Sequence, residues 1–136
     1  MSNVFSSSSP PHHSIFIGAK EDASSLQFLH SSNIKHVINA TPPREKDTSS
    51  GIQNFFEGAQ EGIKYLRVPV YDKSTSDLLS HADDVARFIR VGLYHGSVFV
   101  HCKQGVSRSV ACVMMYLIRE ELMTAEEALS AIKKIR

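Results

Sequence analysis

The sequence predicts an α/β domain whose central, mostly parallel sheet is flanked by helices. Short apolar runs rich in β-branched residues alternate with segments of helical periodicity along the chain. With 136 residues, 42% of them hydrophobic and 21% charged, there is enough apolar material for one compact core. No internal repeat or heptad competes with that pattern.

Composition narrows the function. A formal net charge of +1 supplies no global basic field, so nucleic acid and membrane surfaces are not expected partners. No apolar run approaches the roughly 18–20 residues of a membrane span. The start has no basic segment followed by an apolar core, and it lacks the glycine needed for myristoylation. The last four residues are not a prenylation signal, so no membrane anchor is expected. Cys102 and Cys112 are the two cysteines, which argues against a structural disulfide and for a reducing compartment, cytoplasmic or nuclear.

Residues 1–13, Ser-rich with Pro10-Pro11, are expected to be a flexible lead-in to a domain over 14–136. Residues 15–18 read as a short strand ending at Gly18, and 21–31 as a first helix around Leu26, Phe28 and Leu29. A second strand is expected over 34–40, with His36 on its surface. The polar stretch 41–62 is a long loop of the kind that is functional or disordered, with Asn54-Phe55-Phe56 as a local anchor. Arg44 and Lys46 in it read as solvated charges, with a place flanking the mouth of a site as the lesser alternative. The alternation over 63–70 predicts a strand running into a turn at Pro69. Leu78, Ala82, Val85, Ile89 and Leu93 then repeat at helical spacing, predicting an amphipathic helix over 78–94 with Asp77 as its N-cap and Gly96 closing it. Residues 98–101 form a strand, and the apolar run 110–118 is the central buried helix. Thr124 and Glu127 form a capping box for a last helix over 125–135.

The stretch His101-Cys102-Lys103-Gln104-Gly105-Val106-Ser107-Arg108-Ser109 organises the rest. A strand that breaks into a tight loop and enters a helix builds an anion site, because loop N–H groups and the helix dipole put positive potential at one spot. Arg108 can grip a tetrahedral oxyanion with two parallel N–H bonds. Cys102 beneath that anion sits where the same field favours the thiolate, the attacking form of a cysteine. Gly105 permits close backbone approach, and Lys103, Gln104, Val106 and Ser107 supply backbone donors. Cys112 reads as a buried core thiol, with trapping of an oxidised Cys102 as the lesser alternative.

This His-Cys-x-x-Gly-x-Ser-Arg-Ser run resembles the phosphate-binding loop of the cysteine-dependent protein tyrosine phosphatases, specifically the dual-specificity branch. The resemblance covers 14–136 and implies the phosphatase-type α/β fold. It implies that Cys102 is the nucleophile, that Ser109 donates its hydroxyl to the sulfur and that His101 tunes the loop. The general acid of the family lies on the loop before the helix read here over 78–94, with a second aspartate five positions on, and Asp72 and Asp77 match that pair. Asp72 is therefore the expected acid. The family continues past the last helix with a proline-containing turn and another helix, so the helical pattern still running at Arg136 reads as a domain trimmed at its C-terminus.

The implied activity is hydrolysis of phosphotyrosine and phosphoserine or phosphothreonine through a phosphocysteine, on phosphorylated proteins such as a protein kinase. No metal or other cofactor is implied: the histidines are scattered and form no ligand set. Lys103 beside the nucleophile resembles loops of lipid phosphatases, which makes a phosphoinositide or other non-protein phosphatase the alternative. A catalytically silent phosphoprotein-binding module is the third reading, disfavoured because Cys102, Arg108 and Asp72 are all present.

Overall fold

The computed structural model describes residues 2–8, 12–44, 46, 51–69, 78–103 and 107–133. Strands β1 (Ser2–Ser6) and β2 (Ser14–Gly18) are followed by helices α1 (Lys20–Ala23) and α2 (Leu26–Ser31). Next come β3 (Ile34–Asn39), β4 (Lys64–Arg67), α3 (Ala82–His95), β5 (Ser97–His101), α4 (Ser107–Glu120) and α5 (Ala125–Lys133). The sheet order is β1-β2-β5-β3-β4, with β1 antiparallel and every other pairing parallel. The expected α/β architecture is present.

Alternation along the strands sorts two apolar layers. Ile15, Ile17, Ile38, Val98 and Val100 share one cluster with Val85, Ile89, Val113, Leu117 and Ile132 from α3, α4 and α5. On the opposite face Val37 and Phe99 meet Ala23, Leu29 and Ile63, with Phe55 and Phe56 packed against them. The Asn54-Phe55-Phe56 anchor is thus real: it closes the second layer.

Several elements depart from the sequence expectation. The segment 1–13 is not simply a flexible lead-in, because Ser2–Ser6 pairs with β2 and Val4 is buried in the first core layer. Burial of Val4 and the pairing of its neighbours with β2 outweigh a serine-rich composition. The helix expected over 21–31 is two helices: Ser25 accepts the Phe28 N–H at 3.2 Å and starts a new one. The helix expected over 78–94 begins at Ala82, with Leu78 and Leu79 in a preceding helical turn. Its N-cap is His81; the expected cap, Asp77, lies outside the described residues. The helix read over 110–118 begins at Ser107. The Thr124–Glu127 capping box forms as expected, with reciprocal bonds of 2.9 and 3.1 Å.

His36 is also corrected: it is buried, not on a strand surface. Its ring packs edge-on to Phe88 and stacks on His95, in space left by the missing side chain of Gly92. Burial, then the charges of Lys64 and His95, lowers its pKa to about 4. The unfolded chain therefore takes up a proton near pH 6.5 while the folded chain waits until about pH 4. Stability present above pH 6.5 should fall as pH drops through that window, and His36→Phe should flatten the slope by up to about 1.4 kcal/mol per pH unit. Denaturant titrations at several pH values check this, and an unchanged slope refutes it.

Leu122, between α4 and α5, sits at φ 58°, where glycine is usual after a helix. The bond from the Met123 N–H to the Leu117 carbonyl closes this helix end. Because the Leu122 side chain is exposed, Leu122→Gly loses little packing. It should stabilise the fold by about 0.5–1 kcal/mol. A lower melting temperature would show that no strain is stored there.

Candidate active site

The site grows from the carboxyl ends of the parallel strands, where α/β folds bind ligands. β5 is buried at all five positions and delivers Cys102 one residue past its end. Arg108 and Ser109 are buried in the first turn of α4, and Ser109 Oγ donates to Cys102 Sγ at 3.2 Å. A hydroxyl in that position stabilises negative charge on sulfur. Cys102 is 1% exposed. Lys103 and Ser107, by contrast, are exposed. Asp72, Gln104, Gly105 and Val106 lie outside the described residues.

His101, the last residue of β5, stacks on Phe99 with ring centroids 5.6 Å apart. Burial first, then the nearby Arg67 charge, lowers its pKa to about 4, against a smaller opposing effect of Asp22. It is therefore a neutral imidazole at neutral pH, and its buried Nδ1 has no hydrogen-bond partner among the described residues. Cys112 is fully buried in α4, and burial, together with the Cys102 sulfur, pushes its thiol up to about 12. That supports a core thiol over a redox partner. Among the described residues no group of three or more His, Cys, Asp or Glu side chains is placed to hold a metal.

The structure adds residues that the sequence reading did not single out. Asn39 ends β3 directly opposite His101, and Arg67 ends β4 opposite Asn39. The Ala40 N–H donates to the His101 carbonyl at 2.9 Å, so the chain leaving β3 departs beside the chain that enters the Cys102 loop. Asn39 Nδ2 donates to the Ile52 carbonyl and to Asn54 Oδ1, both at 2.8 Å. Thr41 Oγ1 donates to Asn39 Oδ1 at 2.6 Å and accepts the Ile52 N–H at 3.0 Å. The signal in the sequence was a polar Asn39-Ala40-Thr41 step ending an otherwise apolar strand. Its partners, ten or more residues downstream, could not be read there.

A strand–loop–helix unit with a buried cysteine, an arginine in the first helical turn and a hydroxyl on the sulfur defines the cysteine-dependent phosphatase class. The comparisons place the chain within it. Residues 15–136 match the family "Dual specificity phosphatase, catalytic domain", and the chain belongs to that family. Protein phosphatase Slingshot of Drosophila melanogaster is 37% identical over 123 residues, covering 90% of this chain and 11% of its own length. This chain thus spans only a small part of the curated relatives it matches. A point variant of human DUSP28 superposes with a TM-score of 0.74 at 28% identity, over 90% of this chain and 77% of that one. A mouse protein described as a dual-specificity phosphatase, complexed with zinc tungstate, gives a TM-score of 0.74 at 28% identity, covering 98% and 76%.

Thr41→Val removes the hydroxyl shared by Asn39 and Ile52 and should cost roughly 1–3 kcal/mol. Amide exchange should accelerate at Ile52 more than in the β5 core. Equal acceleration everywhere would mean that the hydroxyl merely supports global stability.

Proposed function

We propose that this domain hydrolyses phosphate monoesters on tyrosine and on serine or threonine of phosphorylated proteins. The observation that carries the reading is the Ser109–Cys102 pair at the N-terminus of α4, with Arg108 buried beside it. The Cys102 thiolate attacks phosphorus, forming an S–P bond as the P–O ester bond breaks. The leaving oxygen keeps the bonding electron pair and takes a proton from Asp72, the residue that family resemblance assigns as acid. Arg108 and the loop N–H groups neutralise charge that spreads over the three equatorial oxygens. Asp72, now a carboxylate, takes a proton from water. The oxygen of that water attacks phosphorus, the S–P bond breaks, and Ser109 O–H receives the charge returning to sulfur.

The zinc tungstate complex of the mouse protein supports the reading, since tungstate is a tetrahedral oxyanion of phosphate shape. Membership of the dual-specificity family supports protein substrates bearing either kind of phosphoresidue. The free thiols Cys102 and Cys112 support a reducing setting, the cytoplasm or the nucleus.

The test is phosphate release from a doubly phosphorylated peptide, a phosphotyrosine-only peptide and a phosphoinositide. Turnover of both sites on the first, abolished in Cys102→Ser, is expected. Ser109→Ala should slow breakdown of the phosphocysteine by roughly ten- to a hundredfold, leaving a burst of one equivalent of leaving group. Preference for the lipid would overturn the protein-substrate reading. Binding without turnover would make the domain a phosphoprotein reader.

A further inference from the structure

The residue before the nucleophile stands between two charges that the reaction does not use. In parallel register Gly18, His101, Asn39 and Arg67 end β2, β5, β3 and β4 side by side. Side chains in such a row share one face of the sheet. Here it is the face of Phe99, Val37 and Tyr65, each two residues earlier on its strand. Helix α1 packs on that face through Ala23 and supplies Asp22. Asp22 Oδ2 accepts the Ala19 N–H at 3.0 Å and lies 2.6 Å from where a side chain on Gly18 would begin. His101 is therefore flanked by a carboxylate above β2 and, two strands away on the other side, by a guanidinium.

The guanidinium is anchored. Arg67 Nη1 donates to the Pro42 and Ile52 carbonyls at 2.9 Å each and to the Thr41 carbonyl at 3.2 Å. The imidazole is confined as well: it is 1% exposed, and its Nδ1 has no hydrogen-bond partner among the described residues. An imidazolium carries N–H on both ring nitrogens, so a second proton would place a charged donor where nothing accepts it. Relief would require the ring to move, and the residue bonded to it is Cys102. Of the charged groups around the ring, Arg67 opposes that proton and Asp22 favours it, both acting on top of burial. β2 and β3 bring only Gly18 and Asn39 to the row. Arg108 belongs to α4, which packs with Cys102 in the other apolar layer.

We infer that Arg67 is a positioning residue for catalysis: its anchored charge keeps a second proton off the buried His101 ring, so that Cys102 stays where β5 delivers it when the medium turns acid, while Asp22 pulls the other way. This rests on the phosphatase reading above.

The experiment follows the His101 and His36 ring resonances by NMR as pH is lowered, together with kcat on a phosphotyrosine peptide. Saturating substrate removes the ionisation of free peptide from the kcat profile. A unit charge two strand spacings away shifts a titration by roughly 0.5–1 pH unit. Arg67→Gln should raise the His101 midpoint and the acid limb of kcat together by that amount. Arg67→Lys, which keeps the charge, should hold both close to the parent. Asp22→Asn, whose amide oxygen still accepts the Ala19 N–H, should move both to lower pH, and it carries the test if Arg67→Gln does not fold. His36 is the internal reference, because the charges acting on it are Lys64 and His95. A His101 midpoint that stays put, or one that moves only in step with His36, overturns the inference. So does a fall in kcat at every pH without a shifted limb, the signature of a purely structural role. A parent that releases no phosphate overturns the phosphatase reading, and this inference with it.

Discussion

The parallel pairing of β5 with both β2 and β3 is the constraint on which the molecule depends. Because β5 is buried on both faces, its residues are fixed by packing on two sides and by two ladders of hydrogen bonds. Its last residue therefore ends in a defined place, and the next one is the nucleophile. The chain spends its best-packed strand on aiming a single sulfur atom. α4 completes the aim, since its buried face, through Val113 and Leu117, packs onto the same layer that holds Val98 and Val100. The hydroxyl of Ser109 thus meets the sulfur of Cys102 from the first turn of a helix packed on that layer.

A polar row crosses the carboxyl edge of the sheet just below this point. Gly18, His101, Asn39 and Arg67 are successive partners across β2, β5, β3 and β4. Within it Asn39 and Arg67 bond the Thr41, Pro42 and Ile52 carbonyls, whereas the buried Nδ1 of His101 has no partner among the described residues. His101 stays neutral within it because burial and the Arg67 charge both disfavour a second proton.

Much of this was legible in the sequence. The nine residues 101–109 combine a strand end, a turn and a helix start with two chemically distinctive side chains, and each of those signals is local. The strands were legible for the same reason, as alternation survives without knowledge of neighbours. What could not be read was set by tertiary context. His36 is polar and looked like surface, but the side-chain-free face of Gly92 makes room for its ring under α3. Residues 1–13 read as a serine-rich lead-in, but the sheet edge pairs Ser2, Asn3, Phe5 and Ser6 with β2 and buries Val4. Arg67 alternates with Tyr65 like any strand residue, and only the fold brings the Pro42 and Ile52 carbonyls to it. Local signals fix elements, whereas long-range hydrogen bonds decide what the polar residues at their ends are for.

The strand order has a consequence for how the protein comes into being. β5 lies between β2 and β3, yet it is synthesised after both of them and after β4. On the ribosome the early strands cannot form their final neighbourhood, because the place between them belongs to a segment not yet made. Their inner edges must wait, held apart or covered, until residues 97–101 emerge and slot in. Long-range parallel pairing of this kind is slow to form and exposed to mispairing while it waits. The reactive cysteine is carried on that late strand's end, so the nascent chain acquires its chemistry only as the sheet closes.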